Sequence, residues 1–479
     1  MVWNNNRSGS VSGPAYVSVQ VEQDDGTEVE FVPDILHPSS DLTVQMAGRD
    51  SEFGTIQSGY ADLTLRNLDG TYTPGVVAAP VALAQDMPLT VRETVGRRTF
   101  DLFNGALGQP EAAFGNLPNN AGDKVTVTAI DWTGQQQQGR TFISNLAEWI
   151  ILHGGNILQG YWPMTETAKP FLPAVNVSSS PTAFVGISGL PAVSVGGDTY
   201  VTAATTTMPI GEDAKIATVG GPLGSTGLPA HMYRLGVAYP TTSLQIGTGE
   251  VFTIVAWRAP VIFTGSATEL LYVQLGEFPS NFADAISLSS DINGHLTLAT
   301  AAGSLSGTIS TCGLKPGVYP VAIRWGFNPP VFEAWINRTR YVGSLSGSGP
   351  TGGYFFSADS GTQNSQGGFG HLQIYAGDPN AWTFADYLAQ IDHATSALTG
   401  GLRWQRTDER LRSLARYAGL ADSQLHYDRG VAYMPRASLA GTTWQQQSQL
   451  AVDTEQGRVF IDGAGRQVFH NRVTTKYDF

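Results

Sequence analysis

Cysteine and long apolar runs are scarce in this sequence, and each shortage excludes a class of protein. The single cysteine, Cys312, rules out a disulfide within the chain and a zinc site built from cysteine pairs. We interpret it as a small, partly buried residue. No run of about 18 apolar residues occurs, so no membrane-spanning helix is predicted. Residues 1–7 lack the charged and then apolar pattern of a secretion signal, so we expect synthesis in a cytoplasm.

Charged residues are scarce as well, and their balance is acidic. They make up 14% of the chain, about half the usual share of roughly 25%. The formal net charge is −13, and no run of Lys or Arg forms a basic patch. A nucleic-acid binder needs a basic face that neutralises phosphates, so we expect no sequence-specific binding of nucleic acid.

Glycine and small polar residues take the place of charge. The chain has 56 glycines among its 479 residues, together with many Ser, Thr, Asn and Gln. This composition suits β-sandwiches and barrels, because their strands favour Thr and their many turns need glycine. The length suffices for about three domains of roughly 150 residues each. We therefore predict a mainly β protein with a smaller α+β part.

The N-terminal part, residues 1–158, has the period of half-buried strands. Apolar and polar residues alternate over 16–21, 62–65 and 125–130, and turn residues rich in Gly and Asp separate such runs. Several short strands with turns of this kind predict a small β-barrel. A helix is predicted at about 143–153, where apolar residues recur at helical spacing.

Residues 159–396 form a second all-β region. Gly, Ser, Thr and Ala dominate its composition, and strand-like runs such as 252–257 and 331–335 recur along it. The number and length of these runs predict a β-sandwich. The stretches 176–230 and 340–367 are rich in Gly, Ser and Thr, which predicts long loops or ragged edge strands.

Residues 397–479 combine helices with a hairpin. Thr407 is predicted as the N-cap of a helix that ends at Gly419, because apolar residues recur there at i, i+3, i+4 and i+7. A weaker helix is predicted at 442–454. The chain then forms a predicted hairpin at 458–470, with a glycine-rich turn between its strands.

Two segments from opposite ends of the chain carry a resemblance to one family. Residues 58–74, SGYADLTLRNLDGTYTP, contain an alternating strand, a turn at Asp69-Gly70, and Pro74, which stops the strand from continuing. This segment resembles one in minor tail proteins of bacteriophages that infect actinobacteria. The stretches 407–410 and 455–466, in which a helix leads into a hairpin, resemble the later part of the same tail-tip, or baseplate, hub proteins.

This resemblance implies a structural role in a virion. The chain would belong to the tail tip, be assembled in the cytoplasm of the bacterial host, and act in tail assembly and host attachment. The resemblance also implies a homo-oligomer, a trimer in a closed ring. Other tail-tip proteins (distal tail, tape measure and fibre proteins) would be its partners. Family members continue well past the hairpin, whereas this sequence stops at Phe479. The resemblance carries over no catalytic residues, so we expect that the protein is not an enzyme.

The middle region is similar to the laminin-G and concanavalin A-like sandwiches. Residues 160–166 resemble the first strand of that family, and the run that ends at Trp257 resembles its inner strand. A hairpin turn at Asn337-Arg338 stands where the family often has Asp-Gly. The resemblance implies a lectin-like sandwich inserted into the hub domain, with the helices predicted at 143–153 and 383–398 on either side of it.

Binding of a cell-wall glycan by this sandwich is the functional hypothesis for the insert. Sugars are held by aromatic faces together with planar polar groups, and aromatic side chains combine an apolar body with a polar tip. The candidate ligand-binding residues are Tyr354, Asp359, Asn364 and Trp382.

Patterns that would indicate a metal or a reaction are weak. A calcium ion in the sandwich would use Asp284, Asp291 or Asp359, but no spacing among them demands one. The eight scattered histidines predict no metal site, so no cofactor is predicted. The sandwich region also lacks the row of carboxylates with which lectin-fold glycanases act. Two alternatives to the tail-tip role remain: a free carbohydrate-binding module, and a glycanase of lectin fold.

Overall fold

The computed structural model describes most of the secondary structure of the chain, and we number its helices and strands in chain order. The described residues are 15–23, 26–30, 42–45, 56–67, 71–72, 81, 83–95, 97–113, 124–132, 141–165, 174, 194–195, 201–209, 211–219, 233–238, 251–260, 268–277, 281–290, 296–301, 308–311, 317–327, 330–343, 355–359, 367–377, 380, 382–396 and 400–475. Asp291, Cys312, Tyr354 and Asn364, all singled out above, lie outside them. No helix among these residues is long and apolar enough to cross a membrane.

The chain divides into two compact units, and each combines segments that are distant in sequence. Unit 1 comprises Met1–Phe142, Trp404–Pro435 and Thr442–Phe479. Unit 2 comprises Ile143–Arg403 and Arg436–Gly441. Both segments that resemble tail-hub proteins fall in unit 1. Unit 2 therefore interrupts a unit that is built from the two ends of the chain.

The first eight strands form one antiparallel sheet of unit 1. They are β1 (Ala15–Glu22), β2 (Glu28–Glu30), β3 (Leu42–Gln45), β4 (Tyr60–Arg66), β5 (Pro88–Val95), β6 (Arg98–Leu107), β7 (Glu111–Ala113) and β8 (Lys124–Ile130). Their order is β2-β1-β5-β6-β8-β4-β3, with β7 also paired to β8. The mainly β class is confirmed, but the predicted barrel is not closed within the described residues. The short strands β2 and β3 form two separate edges, and closure needs every strand paired on both sides.

Alternation along β4 and β8 explains which face of this sheet is buried. The apolar residues of these strands are at most 1% exposed, namely Ala61, Leu63, Leu65, Val125, Val127 and Ala129. Tyr72 joins the same core cluster, and its backbone N–H donates to Asn67 Oδ1 at 2.8 Å. Tyr72 therefore packs back onto this sheet after the turn. The turn at Asp69-Gly70 and Pro74 lie outside the described residues.

Unit 2 contains α1 (Asn145–Gly154), α2 (Phe384–Thr395) and two antiparallel sheets. In order across the first sheet, the strands are β10 (Ser194–Val195), β13 (Tyr233–Ala238), β22 (Phe355–Asp359), β15 (Thr268–Glu277), β16 (Asn281–Ser290), β17 (Leu296–Ala301) and β18 (Thr308–Thr311). Across the second they are β11 (Val201–Thr207), β12 (Lys215–Val219), β23 (Gly367–Gly377), β14 (Val251–Pro260), β19 (Tyr319–Phe327), β20 (Pro330–Ile336) and β21 (Thr339–Val342), and β9 (Leu158–Trp162) also pairs with β23.

The pairing within the second sheet agrees with the sandwich pattern in the sequence. The predicted entry strand is β9, and its Trp162 pairs with Leu372 of the closing strand β23. The predicted hairpin joins β20 to β21, and Asn337 takes the positive φ of 52° that a tight turn requires. The stretch 176–230 contains β10 and β11, each at the edge of its sheet, but also β12, which lies inside the second sheet between β11 and β23.

The central strands of the second sheet are covered on both faces. All residues from 251 to 258 in β14 are buried. On one face Phe252 stacks on Trp325, with ring centroids 5.6 Å apart. On the other face the α2 residue Tyr387 donates its hydroxyl to the backbone oxygens of Pro320 and Trp335. A strand covered on both sides has a continuous apolar run, which explains the weak alternation over 252–257.

Two adjacent carboxylates hold together the part of unit 2 around α1. Glu212 accepts from the backbone N–H of Leu146 at 2.6 Å and of Ala214 at 2.7 Å. Asp213 accepts three backbone N–H groups, from Asn145, Leu439 and Ala440. The first turn of a helix has backbone N–H groups without partners inside the helix, and a carboxylate there satisfies them and matches the helix dipole.

Replacement of Asp213 by Ala is therefore expected to destabilise unit 2 by about 2 kcal/mol, because three backbone donors lose their acceptor. Thermal denaturation and limited proteolysis of the 436–441 segment would measure this loss. Asp392→Ala is the matched control, because the Asp392 carboxylate of the same unit is 58% exposed and accepts a hydrogen bond at the surface from the long side chain of Arg338. An equal loss in both variants would contradict the assignment.

The C-terminal part of unit 1 contains three helices and a three-stranded sheet. They are α3 (Thr407–Tyr417), α4 (Trp444–Glu455), α5 (Arg472–Thr475), β24 (Leu425–Tyr427), β25 (Arg458–Ile461) and β26 (Gln467–His470). The predicted N-cap is wrong by one residue: Arg406 caps α3, and its backbone N–H donates to Glu409. The Thr407 hydroxyl instead donates to the fully buried Glu455 at 2.6 Å, which joins the two hub-like stretches.

The N-terminal and C-terminal parts of unit 1 also meet directly. The backbone of Ile56 lies between two side chains of α4, donating to Gln449 at 3.0 Å and accepting from Gln445 at 2.8 Å. Trp132 packs edge-on against Trp444 with ring centroids 4.8 Å apart. The two ends of the chain therefore share one core.

Candidate functional site

The residues predicted to bind a glycan are only partly within the described part of the chain. Tyr354 and Asn364 lie outside it. Asp359 is the last residue of β22 and pairs with Tyr272 of β15. Trp382 is 4% exposed. The prediction for Tyr354, Asp359 and Asn364 thus stays a prediction.

Trp382 belongs to a cluster of packed rings on the α2 side of the second sheet. Its ring stacks on Tyr375 with centroids 4.1 Å apart, and on Trp335 with centroids 5.6 Å apart. Tyr387 meets it edge-on at 6.4 Å. Because neighbouring rings cover both the ring face and the edge, this indole contributes to packing and is not open to a ligand in this structure.

The residues considered for calcium are not brought together into a described metal site. Asp284 lies in β16 opposite Leu275, Asp359 lies in β22, and Asp291 is outside the described residues. Within the part of the chain that the structure describes, no group of three or more His, Cys, Asp or Glu side chains could hold a metal ion.

A cluster of charged residues lies on the second sheet, where β19, β20 and β21 pair. Arg324 of β19 pairs with Glu333 of β20, and Trp335 pairs with Arg340 of β21. The Glu333 carboxylate accepts two hydrogen bonds from Arg340, Nε at 2.9 Å and Nη2 at 2.6 Å. It also accepts from Trp335 Nε1 at 2.7 Å, and Arg324 Nη1 lies 3.8 Å away. We call these four residues the Glu333 cluster.

Burial differs sharply across the Glu333 cluster. The side chains of Arg324 and Glu333 are 9% and 6% exposed, whereas that of Arg340 is 46% exposed. Burial lowers the pKa of Arg324, and the neighbouring Glu333 charge partly opposes this effect. The hydrogen bonds from Arg340 to Glu333 raise the pKa of Arg340. Two guanidinium groups on one carboxylate leave the cluster with a net positive charge.

The Glu333 cluster has the chemistry to bind a polar ligand. Arg340 directs two of its five N–H groups at Glu333, and its half-exposed guanidinium keeps further donors for hydroxyl or carboxylate oxygens of a ligand. The bidentate ion pair fixes the orientation of that guanidinium in advance. The described cluster holds one carboxylate, whereas acid–base cleavage of a glycosidic bond uses two.

The sequence analysis missed the Glu333 cluster, although part of its pattern is visible. Glu333 and Trp335 are two residues apart on one strand, so they share a face. Arg324 and Arg340 join them only through the register of three strands, which the sequence does not specify.

Comparison with known proteins gives only distant likenesses. No family model matches the sequence, and no curated protein matches it. Among solved structures, a sialidase of Trypanosoma rangeli in complex with sialic acid aligns at a TM-score of 0.33 and 12% identity, over 78% of this chain and 59% of that one. This chain therefore spans less than two thirds of the length of that sialidase.

Two smaller sugar-binding domains also align. The CBM40 of the IT-sialidase of Ruminococcus gnavus, bound to α2,3-sialyllactose, aligns at a TM-score of 0.21 and 12% identity, over 32% of this chain and 94% of that one. The Caenorhabditis elegans galectin LEC-6 aligns at a TM-score of 0.20 and 9% identity, over 30% of this chain and 90% of that one. At such scores these alignments transfer neither an activity nor a ligand.

The expectation that the protein is not an enzyme needs correction. It relied on the absence of carried-over catalytic residues, yet the similar structures include sialidases, which are enzymes. Fold alone does not decide function, so this expectation is withdrawn.

Proposed function

We propose that unit 2 is a lectin-like module that binds a cell-surface glycan, and that unit 1 is the scaffold that carries it in the tail tip of a bacteriophage. The observation that carries this proposal is the insertion itself. The two hub-like segments lie in unit 1, and the two-sheet unit 2 interrupts that unit in sequence. A binding module inserted into an assembly scaffold accounts for both parts.

The Glu333 cluster supports the glycan-binding half of the proposal. Sugar hydroxyls and carboxylates are matched by planar, multivalent donors, and Arg340 offers such a donor on rigid strands. Its partner Glu333 is buried, accepts three hydrogen bonds, and fixes the guanidinium in place. Unit 2 thus presents the Arg340 guanidinium in a fixed orientation, so a ligand that binds it loses little further side-chain entropy.

Replacement of Arg340 by Ala is expected to weaken glycan binding of the full chain about tenfold. A lost charge-assisted hydrogen bond is worth about 1.5 kcal/mol, and tenfold in affinity corresponds to about 1.4 kcal/mol. Titration calorimetry with solubilised cell-wall glycan would measure the change. Arg340→Lys is expected to recover only part of the affinity, because an ammonium lacks the planar fork.

Arg338→Ala is the matched control for this experiment. Arg338 lies in the turn of the hairpin whose second strand carries Arg340. Its side chain is 51% exposed, but it pairs with Asp392 instead of Glu333. Its loss is expected to leave affinity within about twofold of the parent, since a surface ion pair contributes little. Equal losses at Arg338 and Arg340 would reject the Glu333 cluster as the site.

The tail-tip half of the proposal rests on the resemblance of the two unit 1 segments and needs its own test. A trimeric ring of this chain at the tip of a phage tail is the expected result, with distal tail, tape measure and fibre proteins as neighbours. Immunogold labelling of intact virions against unit 2 would locate the chain, and mass photometry would give its oligomeric state. Label away from the tail tip would reject this half.

A free carbohydrate-binding module is the second candidate. The observation in its favour is that unit 2 contains two sheets of its own, with central strands covered on both faces. This candidate predicts a monomer that binds glycan and is absent from virions. Glycan binding by a monomer, together with unlabelled virions, would favour it over the tail-tip role.

A further inference from the structure

Two large aromatic residues are exposed on neighbouring segments in the C-terminal part of unit 1. Trp404 is 54% exposed and Tyr433 is 60% exposed. Tyr433 forms an antiparallel bridge with Arg406, two residues after Trp404. Backbone hydrogen bonds on both sides of this bridge, Met434 N to Gln405 O at 2.8 Å and Thr407 N to Ala432 O at 3.1 Å, hold the two chain segments together.

The backbone at Trp404 is unusual for an exposed aromatic residue. Its φ is 55°, in the left-handed region that large side chains rarely adopt. Such conformations cost free energy and are concentrated at ligand-binding and switch regions, where the surrounding structure imposes them. The exposed ring and the strained backbone are two separate observations on one residue.

Arg406, the residue bridged to Tyr433, is held in a fixed orientation by two carboxylates. Arg406 donates to Asp408 at 3.1 and 3.2 Å, and its Nη2 lies 2.8 Å from Glu409 Oε1. The hydrogen bonds to Asp408 raise the pKa of Arg406, and the charges of Asp408 and Glu409 add to this shift. The guanidinium and both carboxylates therefore belong to the same segment as Trp404, and Arg406 is bridged to Tyr433.

We propose that Trp404 and Tyr433 form a binding platform for a neutral glycan, separate from the Glu333 cluster of unit 2. Sugar rings present C–H groups to an aromatic face and hydroxyls to planar polar groups at its border, and both kinds of group meet here. One guanidinium and two carboxylates give the border a net negative charge, which disfavours an acidic polysaccharide.

The size of the surface favours a sugar over a protein. Half-exposed Trp and Tyr side chains offer about 100 Å² each. A specific protein–protein interface takes about 800 Å² from each partner. Two aromatic rings fit one or two sugar residues, whereas a second copy of the chain would need a much larger apolar patch.

The test uses the full chain and a panel of neutral gluco-, galacto-, manno- and arabino-oligosaccharides, together with an oligogalacturonate. Titration calorimetry and quenching of Trp fluorescence by acrylamide measure binding and protection of Trp404. Saturable binding of at least one neutral oligosaccharide is expected, and Trp404→Ala and Tyr433→Ala are each expected to lower that affinity at least tenfold. Leu450→Ala, at a residue of unit 1 that is 52% exposed, is the control and is expected to leave it unchanged.

Two further variants keep the result interpretable. Trp404→Gly suits the positive φ, so it is expected to fold at least as well as the parent while losing the same binding. Arg340→Ala is expected to leave binding at this platform unchanged, so failure of the unit 2 proposal and failure of this one are distinguishable. No saturable binding of any neutral oligosaccharide, an unchanged affinity in Trp404→Ala, or self-association that Trp404→Ala abolishes would overturn the platform.

Discussion

Acidification from pH 7 to pH 4 is expected to destabilise unit 2 by roughly 3 kcal/mol through one residue, His371. This side chain is fully buried in β23, and burial lowers its pKa to about 3. Its Nδ1 lies 2.7 Å from the Tyr161 hydroxyl, and within the described residues its Nε2 has no hydrogen-bond partner. The folded state therefore favours the neutral form of the His371 imidazole.

The direction of this effect follows from proton linkage. In the unfolded chain the pKa of a histidine is about 6.5, so below that pH the unfolded state binds a proton that folded His371 does not. The contribution of neutral His371 to the stability of unit 2 is fully present above about pH 6.5. It decreases as the pH is lowered, until the pH reaches the pKa of His371 in the folded state. Each pKa unit corresponds to about 1.4 kcal/mol. His393, whose pKa is lowered to about 4 mainly by burial, adds a smaller loss of the same sign, because its side chain keeps some exposure.

Thermal denaturation of the unit 2 transition between pH 7 and pH 4 would measure the loss, and His371→Asn should make it shallower. Asn is the suitable replacement because position 371 has a φ of 44°, which Asn tolerates better than most residues. His426→Asn, at an exposed histidine of unit 1, is the control and should leave the slope unchanged. An identical pH dependence in His371→Asn and the parent would contradict the assignment.

Protonation of Glu212 affects the acid stability of unit 2 in the opposite direction to protonation of His371, so a Glu212 variant provides a second test. Burial raises the pKa of Glu212, and the neighbouring charge of Asp213 adds to that shift. A carboxyl group with a raised folded pKa takes up a proton on folding, so it stabilises the folded state as the pH falls. Glu212→Gln removes this compensation and is expected to make the acid-induced loss steeper.

The sequence predicts those features of the fold that depend on local patterns. Alternation identifies β4 and β8, and helical spacing identifies α2; the N-cap of α2, Thr383, is not predicted. The resemblance to laminin-G-like sandwiches places a turn at Asn337-Arg338, between β20 and β21, and Asn337 adopts a positive φ there. Local signals are weaker at helix ends, where Arg406 and not Thr407 caps α3.

The candidate sites could not be predicted in the same way, since they depend on contacts between distant segments. Trp382 is a residue type that often binds sugars, but Tyr375 and Trp335 cover its ring. Arg340 and Glu333 meet through strand register, and the segments that carry Trp404 and Tyr433 are joined by the bridge between Arg406 and Tyr433, which are 27 positions apart. Exposure decides which aromatic residue is open to a ligand, and exposure is a property of the folded chain.

Replacement of Gly463 by Ala is expected to separate the two ends of the chain within unit 1. A Cβ atom at this position would overlap the backbone oxygen of Asp101 in β6 and lie 2.9 Å from the backbone nitrogen of Leu102. These neighbours are backbone atoms within a paired sheet, so they do not move aside cheaply. The expected destabilisation is about 3 kcal/mol, at the upper end of the usual cost of overpacking.

Hydrogen exchange gives the most direct measurement of this effect. In Gly463→Ala, exchange is expected to accelerate together in β25, β26 and the part of β6 around Asp101, because the hairpin can no longer lie against the sheet. Gly108→Ala is the matched control: it adds the same methyl group in unit 1, and its nearest neighbour, Thr128 O, is 3.2 Å away. Acceleration confined to the hairpin, with β6 unchanged, would contradict the close contact.

The position of Gly463 gives the hub-like pattern of residues 455–466 a physical meaning. Glu455 joins α4 to α3 through the Thr407 hydroxyl and accepts from the backbone N–H of Val431 and Ala432. Gly463, in the turn between β25 and β26, lets this hairpin lie against β6 of the N-terminal sheet. A chain interrupted by more than 200 residues needs contacts of this kind to rejoin its two ends, so Gly463→Ala should weaken unit 1 while the unit 2 transition keeps its midpoint.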